Sequence, residues 1–274
     1  MTAPGIRVSR QWLALREPVD AEARSRDLVE RLRRELPATG RLVIHDLGGG
    51  TGAMGRWLAP LLGGPQHWVL HDRDTDLLKV AAANLPGPAA NGAAVTLEAE
   101  RSDITWLQPG DLAGAGLITA SALLDMLTEE ELTGLTTACA GARCRILLTL
   151  SVTGNVDLTP ADPLDRRVAA AFDAHQRRVT ERGRLLGPDA VAFAVEQFGR
   201  LGAEVLVRPS PWRLGVGQTD LLVKWLGGWV GAACEQEPEL AAEAGVYSRR
   251  RLAQATAGEL RATVNHADLL ASPR

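Results

Sequence analysis

The sequence predicts an α/β fold in which a mostly parallel sheet of seven strands carries helices on both faces. Three observations lead there. Short apolar runs alternate with amphipathic stretches along the 274 residues, a rhythm that favours parallel strand pairing. The run at residues 43–47 ends in a glycine-dense turn, Gly48-Gly49-Gly50-Thr51-Gly52. Glycine lets the backbone take positive φ and lets a ligand approach it closely. The run at residues 116–120 has the composition of a strand buried on both faces.

Taken in order, residues 18–36 read as one helix, with Leu28, Leu32 and Leu36 on a stripe and Pro37 closing it. Its other face carries Arg24, Arg26, Arg31, Arg33 and Arg34 among acids, a solvated mixed-charge surface. The first strand, 43–47, leads through the glycine turn into an amphipathic helix at 53–62. The free N–H groups at such a helix start suit a carboxylate or phosphate. Residues 67–70 form the second strand, and Asp74 or Thr75 caps the helix behind it. The third strand is 95–97 and the fourth is 116–120, after which Thr128 and Glu131 form a capping box. The fifth strand is 146–152. Residues 153–187 then break the rhythm with a proline-bearing loop and a helix at 165–178. Pro188 and Asp189 start a helix with Val191, Val195, Phe198 and Leu201 on one stripe. Residues 204–207 are the sixth strand. Residues 218–254 read as two helices parting near Pro238, and 260–270 supply the last strand. The organisation expected is a helical cap, 1–38, and a main domain, 39–274, with insertions at 153–187 and 216–258.

Composition narrows the function classes. The net charge of −3 gives no footprint for a phosphate backbone or an anionic membrane. The longest apolar run, 226–234, is too short to span a bilayer. The first twelve residues lack the apolar core of a signal peptide. Cys139, Cys144 and Cys234 make an odd set without a C-x-x-C pair, as in a cytoplasmic protein with reduced thiols. No ligand spacing for zinc is present, so no metal is expected.

Two cofactor classes use a glycine turn between strand and helix, and spacing separates them. The dinucleotide pattern G-x-G-x-x-G/A is met by Gly48, Gly50 and Ala53. The pattern acid, apolar, G-x-G-x-G is met in full by Asp46, Leu47, Gly48, Gly50 and Gly52. The second resembles motif I of the class I, Rossmann-like methyltransferases that use S-adenosylmethionine (SAM). The resemblance covers about residues 41–208 and the last strand. It implies SAM as cofactor and S-adenosylhomocysteine (SAH) as product. It places Asp46 at the loop and the methionine end, and Gly48, Gly49, Gly50 and Gly52 along the methionine and ribose. It places Asp103 and Ile104 at the adenine, and Ala120 and Ser121 at the strand edge between cofactor and acceptor. Asp72, with Arg73 beside it, ends the second apolar run, where a carboxylate accepts from two ribose hydroxyls. NAD also puts a ribose there. The family's last strand is antiparallel and lies beside the sixth. Here a helical insertion separates the two in sequence, where the family often has a short hairpin.

The activity implied is methyl transfer to a small-molecule acceptor through an oxygen nucleophile, a hydroxyl or a carboxylate, in specialised metabolism. Three alternatives stand beside it: an RNA or protein methyltransferase, a non-catalytic SAM-binding subunit, and an NAD-dependent oxidoreductase. A hydroxyl acceptor needs a base. His175, in the insertion after the fifth strand, is placed ahead of Asp125, after the fourth, and both ahead of His71 and His266. Arg177 or Arg178 pairs with an acidic group on the acceptor, and Trp212 also contacts it. At the adenine site the alternative is a helix N-cap at Ser102 or Asp103. The stripe Leu221, Leu222, Trp225, Leu226 and Trp229 is core, acceptor wall or the face of a homodimer.

Overall fold

The computed structural model describes residues 8–37 and 40–273. The outer ends of the expected cap, residues 1–7 and 38, lie outside it. Two helices open the chain, α1 (Arg10–Ala23) and α2 (Arg26–Glu35), where the sequence reading has one. Ser9 and Ser25 each cap a helix by accepting from a first-turn N–H. Pro18 therefore lies inside α1 rather than starting a helix.

The alternation that follows is β1 (Leu42–Leu47), α3 (Ala53–Leu58), β2 (Gln66–Asp72), α4 (Thr75–Ala83), β3 (Val95–Arg101), β4 (Leu117–Ser121), α5 (Glu129–Gly141) and β5 (Arg145–Thr159). Asp74 caps α4, and Thr128 with Glu131 forms the capping box of α5, as their spacing requires. The helix behind the glycine turn is only six residues before a 3₁₀ turn takes over. It is shorter than the amphipathic stretch because Pro60 cannot donate to an α-helical bond.

After β5 come α6 (Asp165–Gln176), a small hairpin β6 (Val179–Thr180) and β7 (Gly183–Arg184), α7 (Ala190–Arg200), β8 (Glu204–Pro209), β9 (Trp212–Leu214), α8 (Thr219–Gln236), α9 (Ala241–Thr256) and β10 (Arg261–Ser272). The sheet order is β3-β2-β1-β4-β5-β10-β8, with β9 also paired to β10. β1 to β5 are parallel, and β10 runs antiparallel between β5 and β8. The helices α8 and α9 do not disturb that insertion, because β10 returns to the sheet after them.

β5 is fifteen residues long and β10 twelve. The segment read as the start of a loop, 153–159, is strand. Its upper half pairs with Arg261 to Val264, beyond the carboxyl edge of the parallel strands. The ribbon and β9 carry a second apolar core with α1, α6, α8 and α9, centred on Trp212, Leu222, Trp225 and Trp229. The apolar stripe of α8 is thus core. Two further cores lie on the two sheet faces, one under α2 and α3 with Ile44 and Trp68, the other under α5 and α7 with Ile118 and Phe198. Each wholly buried leucine or phenylalanine contributes about 1.5–3 kcal/mol, so the edge between these cores is held by apolar packing on every side.

Candidate functional site

The glycine turn is built by three alternate glycines at positive φ, Gly48 (65°), Gly50 (54°) and Gly52 (81°). Gly49 is needed for space instead. A Cβ there would lie 2.9 Å from Asp46 Oδ2 and 2.9 Å from Leu70 Cγ. The turn is tied down by Gly49 N–H donating to the His71 carbonyl (3.0 Å) and Gly50 N–H donating to Asp72 Oδ2 (2.9 Å). Asp72 Oδ1 accepts from Asp74 N–H (2.8 Å). Asp72 is half-buried at the end of β2, and its carboxylate welds the turn to the strand. Arg73 beside it is exposed.

Asp46 is 1% exposed. Its Oδ1 accepts from the Thr119 hydroxyl on the neighbouring strand (2.8 Å), while Oδ2 is buried without a partner. Burial pushes its carboxyl up to about 7, against the pull of the Thr119 hydrogen bond and of Arg24, with Asp72 adding to the rise. Arg24 is the counterpart. The sequence reading puts it on a solvated helix face, but it is 3% exposed. Ser25 caps α2, so the chain turns at Arg24 and sends its side chain under the helix. The guanidinium donates to Ser121 Oγ (3.0 Å) and Thr149 Oγ1 (3.3 Å) and packs over the Trp57 ring. Its Nη1 is buried without a partner. Nothing in the residue's surroundings in sequence marks it, except the serine that follows.

Ala120 is buried and Ser121 half-buried at the end of β4. Leu123 lies on the turn, 3.3 Å from where a Cβ on Gly48 would sit. Asp103 is exposed and caps a short turn, accepting from Thr105 N–H and its hydroxyl, and Ile104 behind it is buried. The capping alternative for Asp103 is therefore realised. Helix α1 closes over the glycine turn. Leu13 is 3.8 Å from the Cβ position of Gly50, and Glu17 takes Arg56 in a two-pronged pair (2.7 and 2.7 Å).

The residues expected at the acceptor fall apart into two groups. His175 points to the surface of α8, with Nε2 3.1 Å from Glu235 Oε2. Arg177 is held by both oxygens of Asp189 (2.6 and 2.7 Å). Arg178, half-buried, donates to the His175 carbonyl (3.0 Å) and lies within electrostatic reach of Asp125. Burial raises the Asp125 carboxyl, and Arg16 and Arg178 offset part of the rise. Trp212 is 2% exposed, and its Nε1 donates to Asp20 Oδ1 (2.9 Å). Among the described residues no cluster of three or more His, Cys, Asp or Glu suits a metal ion, and no helix is long and apolar enough to cross a membrane.

No protein-family model matches the chain, and no curated protein matches it. Solved structures do. The cyclopropane synthase MmaA2 from Mycobacterium tuberculosis is 12% identical, with a TM-score of 0.51 over 97% of this chain and 95% of that one. A SAM-dependent methyltransferase from Methanosarcina mazei is 10% identical, with a TM-score of 0.51 over 90% and 96%. Strand order, the antiparallel β10 and these likenesses agree: the chain has the Rossmann-like fold of the class I SAM-dependent methyltransferases.

Proposed function

We propose that the chain is a SAM-dependent methyltransferase acting on a small-molecule acceptor at an oxygen atom. The observation that carries the reading is Asp46. A buried carboxylate with one oxygen unmatched, beside a glycine turn, is expensive unless a cation completes it. The α-ammonium of SAM is such a cation. The unmatched Nη1 of Arg24, across the same sheet edge, suits the carboxylate of the same amino acid. Asp72 would receive the ribose, which requires it to share or release its bonds to the turn. Ile104 and the turn capped by Asp103 would flank the adenine. When bound, SAM supplies an electrophilic methyl group on a sulfonium. The chain's part is to hold the acceptor in line and exclude water, and helix α1 covers the turn in the way exclusion needs.

The arginines of the 153–187 insertion favour a small acceptor over RNA. Arg167 pairs with Glu237 and Glu243, Arg177 with Asp189, and Arg182 with Glu131. Charges neutralised within the chain leave little for a phosphate backbone. Arg178 takes the role of meeting an acidic group on the acceptor, and His175 leaves the list of bases. We also read residues 1–38 as a cap and 39–274 as the catalytic domain with two insertions. The deciding experiment is calorimetric titration with SAH and with NAD. SAH is expected to bind and NAD is not. Binding of NAD alone would overturn the reading.

A further inference from the structure

We infer that the chain forms a symmetric homodimer in which β8 of one copy pairs antiparallel with β8 of a second, about a two-fold axis at Leu206. The inference does not depend on which cofactor or acceptor the chain takes. β8 ends the sheet, with β10 on one side and no strand on the other. Ser210 N–H donates to the His266 carbonyl (2.9 Å), in the register that sets Pro209 against Ala267 and Val207 against Leu269. Backbone polar groups alternate sides along a strand. Glu204, Leu206 and Arg208 therefore turn their N–H and C=O groups to β10, while Val205, Val207 and Pro209 turn theirs to the open edge. Two details agree. Proline in an edge strand sits where the N–H would face solvent. The Val207 carbonyl is open enough on that side to accept from Arg208 Nη1 (2.9 Å).

An open edge is a template for another strand, and the side chains say which strand fits. In an antiparallel pair centred on Leu206, Val205 and the partner's Val207 exchange both hydrogen bonds, and the two-fold axis repeats the exchange. Glu204 then stands opposite the partner's Arg208, in the non-hydrogen-bonded position where side chains come closest. The axis repeats this pair as well. Opposite charges placed so stabilise a ladder, and like charges oppose it. The other end of the sheet is the contrast. β3 carries exposed Glu98 and Glu100, and antiparallel self-pairing centred on Glu98, Ala99 or Glu100 sets glutamate against glutamate. Self-pairing is thus resisted at β3 and favoured at β8.

The surface beside β8 suits the same partner. Glu204, Leu206 and Arg208 lie on the α2 side and, with Asp27, Glu30 and Arg31, line an open groove of about 410 Å³. Directly opposed residues share a face of the sheet, so the partner's Leu206 packs on Leu206 at the open side of that groove. Leu206 is half-buried, and Val207 on the other face is 38% exposed. Pairing covers both. Arg208 lies 3.9 Å from Asp27, and Glu204 makes no ion pair among the described residues. On pairing, the Arg208 guanidinium leaves the Val207 carbonyl to the new ladder and turns to the partner's Glu204.

The test is the mass of the full chain in solution, by sedimentation equilibrium over a series of micromolar concentrations. The wild type should be a dimer. Val207→Pro removes a donor that faces the open edge and no bond within the chain. It should give a monomer with an unchanged circular dichroism spectrum. Glu204→Arg sets arginine against arginine across the axis, and Arg208→Glu sets glutamate against glutamate. Each alone should raise the dimer dissociation constant about tenfold or more. Mixed in equal amounts, the two variants are complementary at both pairs and should form a heterodimer. Should Val207→Pro fail to fold, the mixture decides. A monomeric wild type would overturn the inference. So would a dimer that survives Val207→Pro, single charge variants that dimerise as the wild type does, or a mixture that stays monomeric.

Discussion

The affinity for SAH should depend on pH through Asp46. In the ligand-free protein burial holds this carboxyl near 7, so at pH 6 most molecules carry it protonated. A ligand ammonium needs it ionised. Each unit below 7 therefore weakens binding about tenfold, or about 1.4 kcal/mol. The loss from pH 8 to pH 5 should be about a hundredfold, with a plateau above 7. Binding should release about one proton at pH 5.5 and almost none at pH 8.5. Calorimetry in two buffers of different ionisation enthalpy counts that proton. Asp46→Asn should flatten the profile and weaken binding at pH 8 by one to two orders of magnitude, since a charge-assisted hydrogen bond contributes about 1.5–3 kcal/mol.

The same group bears on stability with a definite sign. Its folded value lies above its ordinary 3.8, so the folded state holds the proton more tightly. Stability falls as pH rises through the window from about 4 to 7 and stays lowered above it. The full penalty is on the order of 4 kcal/mol. Asp46→Asn should therefore raise the Tm of the ligand-free protein at pH 8 while impairing binding. An affinity constant between pH 5.5 and 8.5, together with a lowered Tm for the variant, would refute the reasoning.

Other outcomes follow from the same geometry. Gly49→Ala forces a methyl against Asp46 and Leu70 and should lower stability by about 1–3 kcal/mol with loss of SAH binding, read by chemical denaturation and calorimetry. Asp72→Ala removes both anchors of the turn, Gly50 N–H and Asp74 N–H. It should weaken SAH binding and speed amide exchange at residues 49–52, where unchanged exchange would contradict the anchoring role. His45 is buried with Nδ1 2.8 Å from His71 Nε2, and burial first, then His71, pushes it down to about 4. Its stabilising neutral form is complete above about pH 6.5 and is lost as pH falls toward 4. His45→Gln should reduce the fall in Tm over that window, measured by thermal scans at a series of pH values. Arg177→Ala should free Asp189 without creating or removing salt-dependent RNA binding, as gel-shift assays in low and high salt can show.

The parts of this protein written in local pattern were legible before the structure. Asp74, Thr128 and Glu131 declare their caps within four residues, and the glycine spacing declares the turn. The alternation of strands and helices, and with it the parallel pairing, follows from the βα rhythm. What sequence reading missed depends on contacts far apart in the chain. Arg24 looks like its arginine neighbours until the turn at Ser25 buries it against Ser121 and Thr149, about a hundred residues away. The position of His175 in an insertion after the fifth strand does not say what its helix packs on, and that helix lies along α8, where Glu235 meets the imidazole. Pro18 misled in the same way: a proline at a first turn is the common case, but α1 starts eight residues earlier and tolerates it.

The carboxyl edge of the sheet concentrates features that a chain selected for stability alone would lack. Asp46 Oδ2 and Arg24 Nη1 are buried and unmatched. Leu150 and Ala122 sit at φ of 56° and 51°, in the left-handed region, which costs an L residue about 1–2 kcal/mol. Leu150 is held there by its N–H donating to Asp268 Oδ1 (2.8 Å), while Oδ2 accepts from Ser25 N–H (2.7 Å). One buried carboxylate thus fixes both the strained point of β5 and the start of α2, next to Arg24. The two strained residues flank Thr149, and Ala122 N–H donates to its carbonyl (2.9 Å). Strain and unmatched charge are therefore adjacent and share the same anchors. Such concessions persist where a site needs polar groups held ready and unsolvated. They lie between the glycine turn and the β5–β10 ribbon, where the proposed function puts the methionine end of the cofactor.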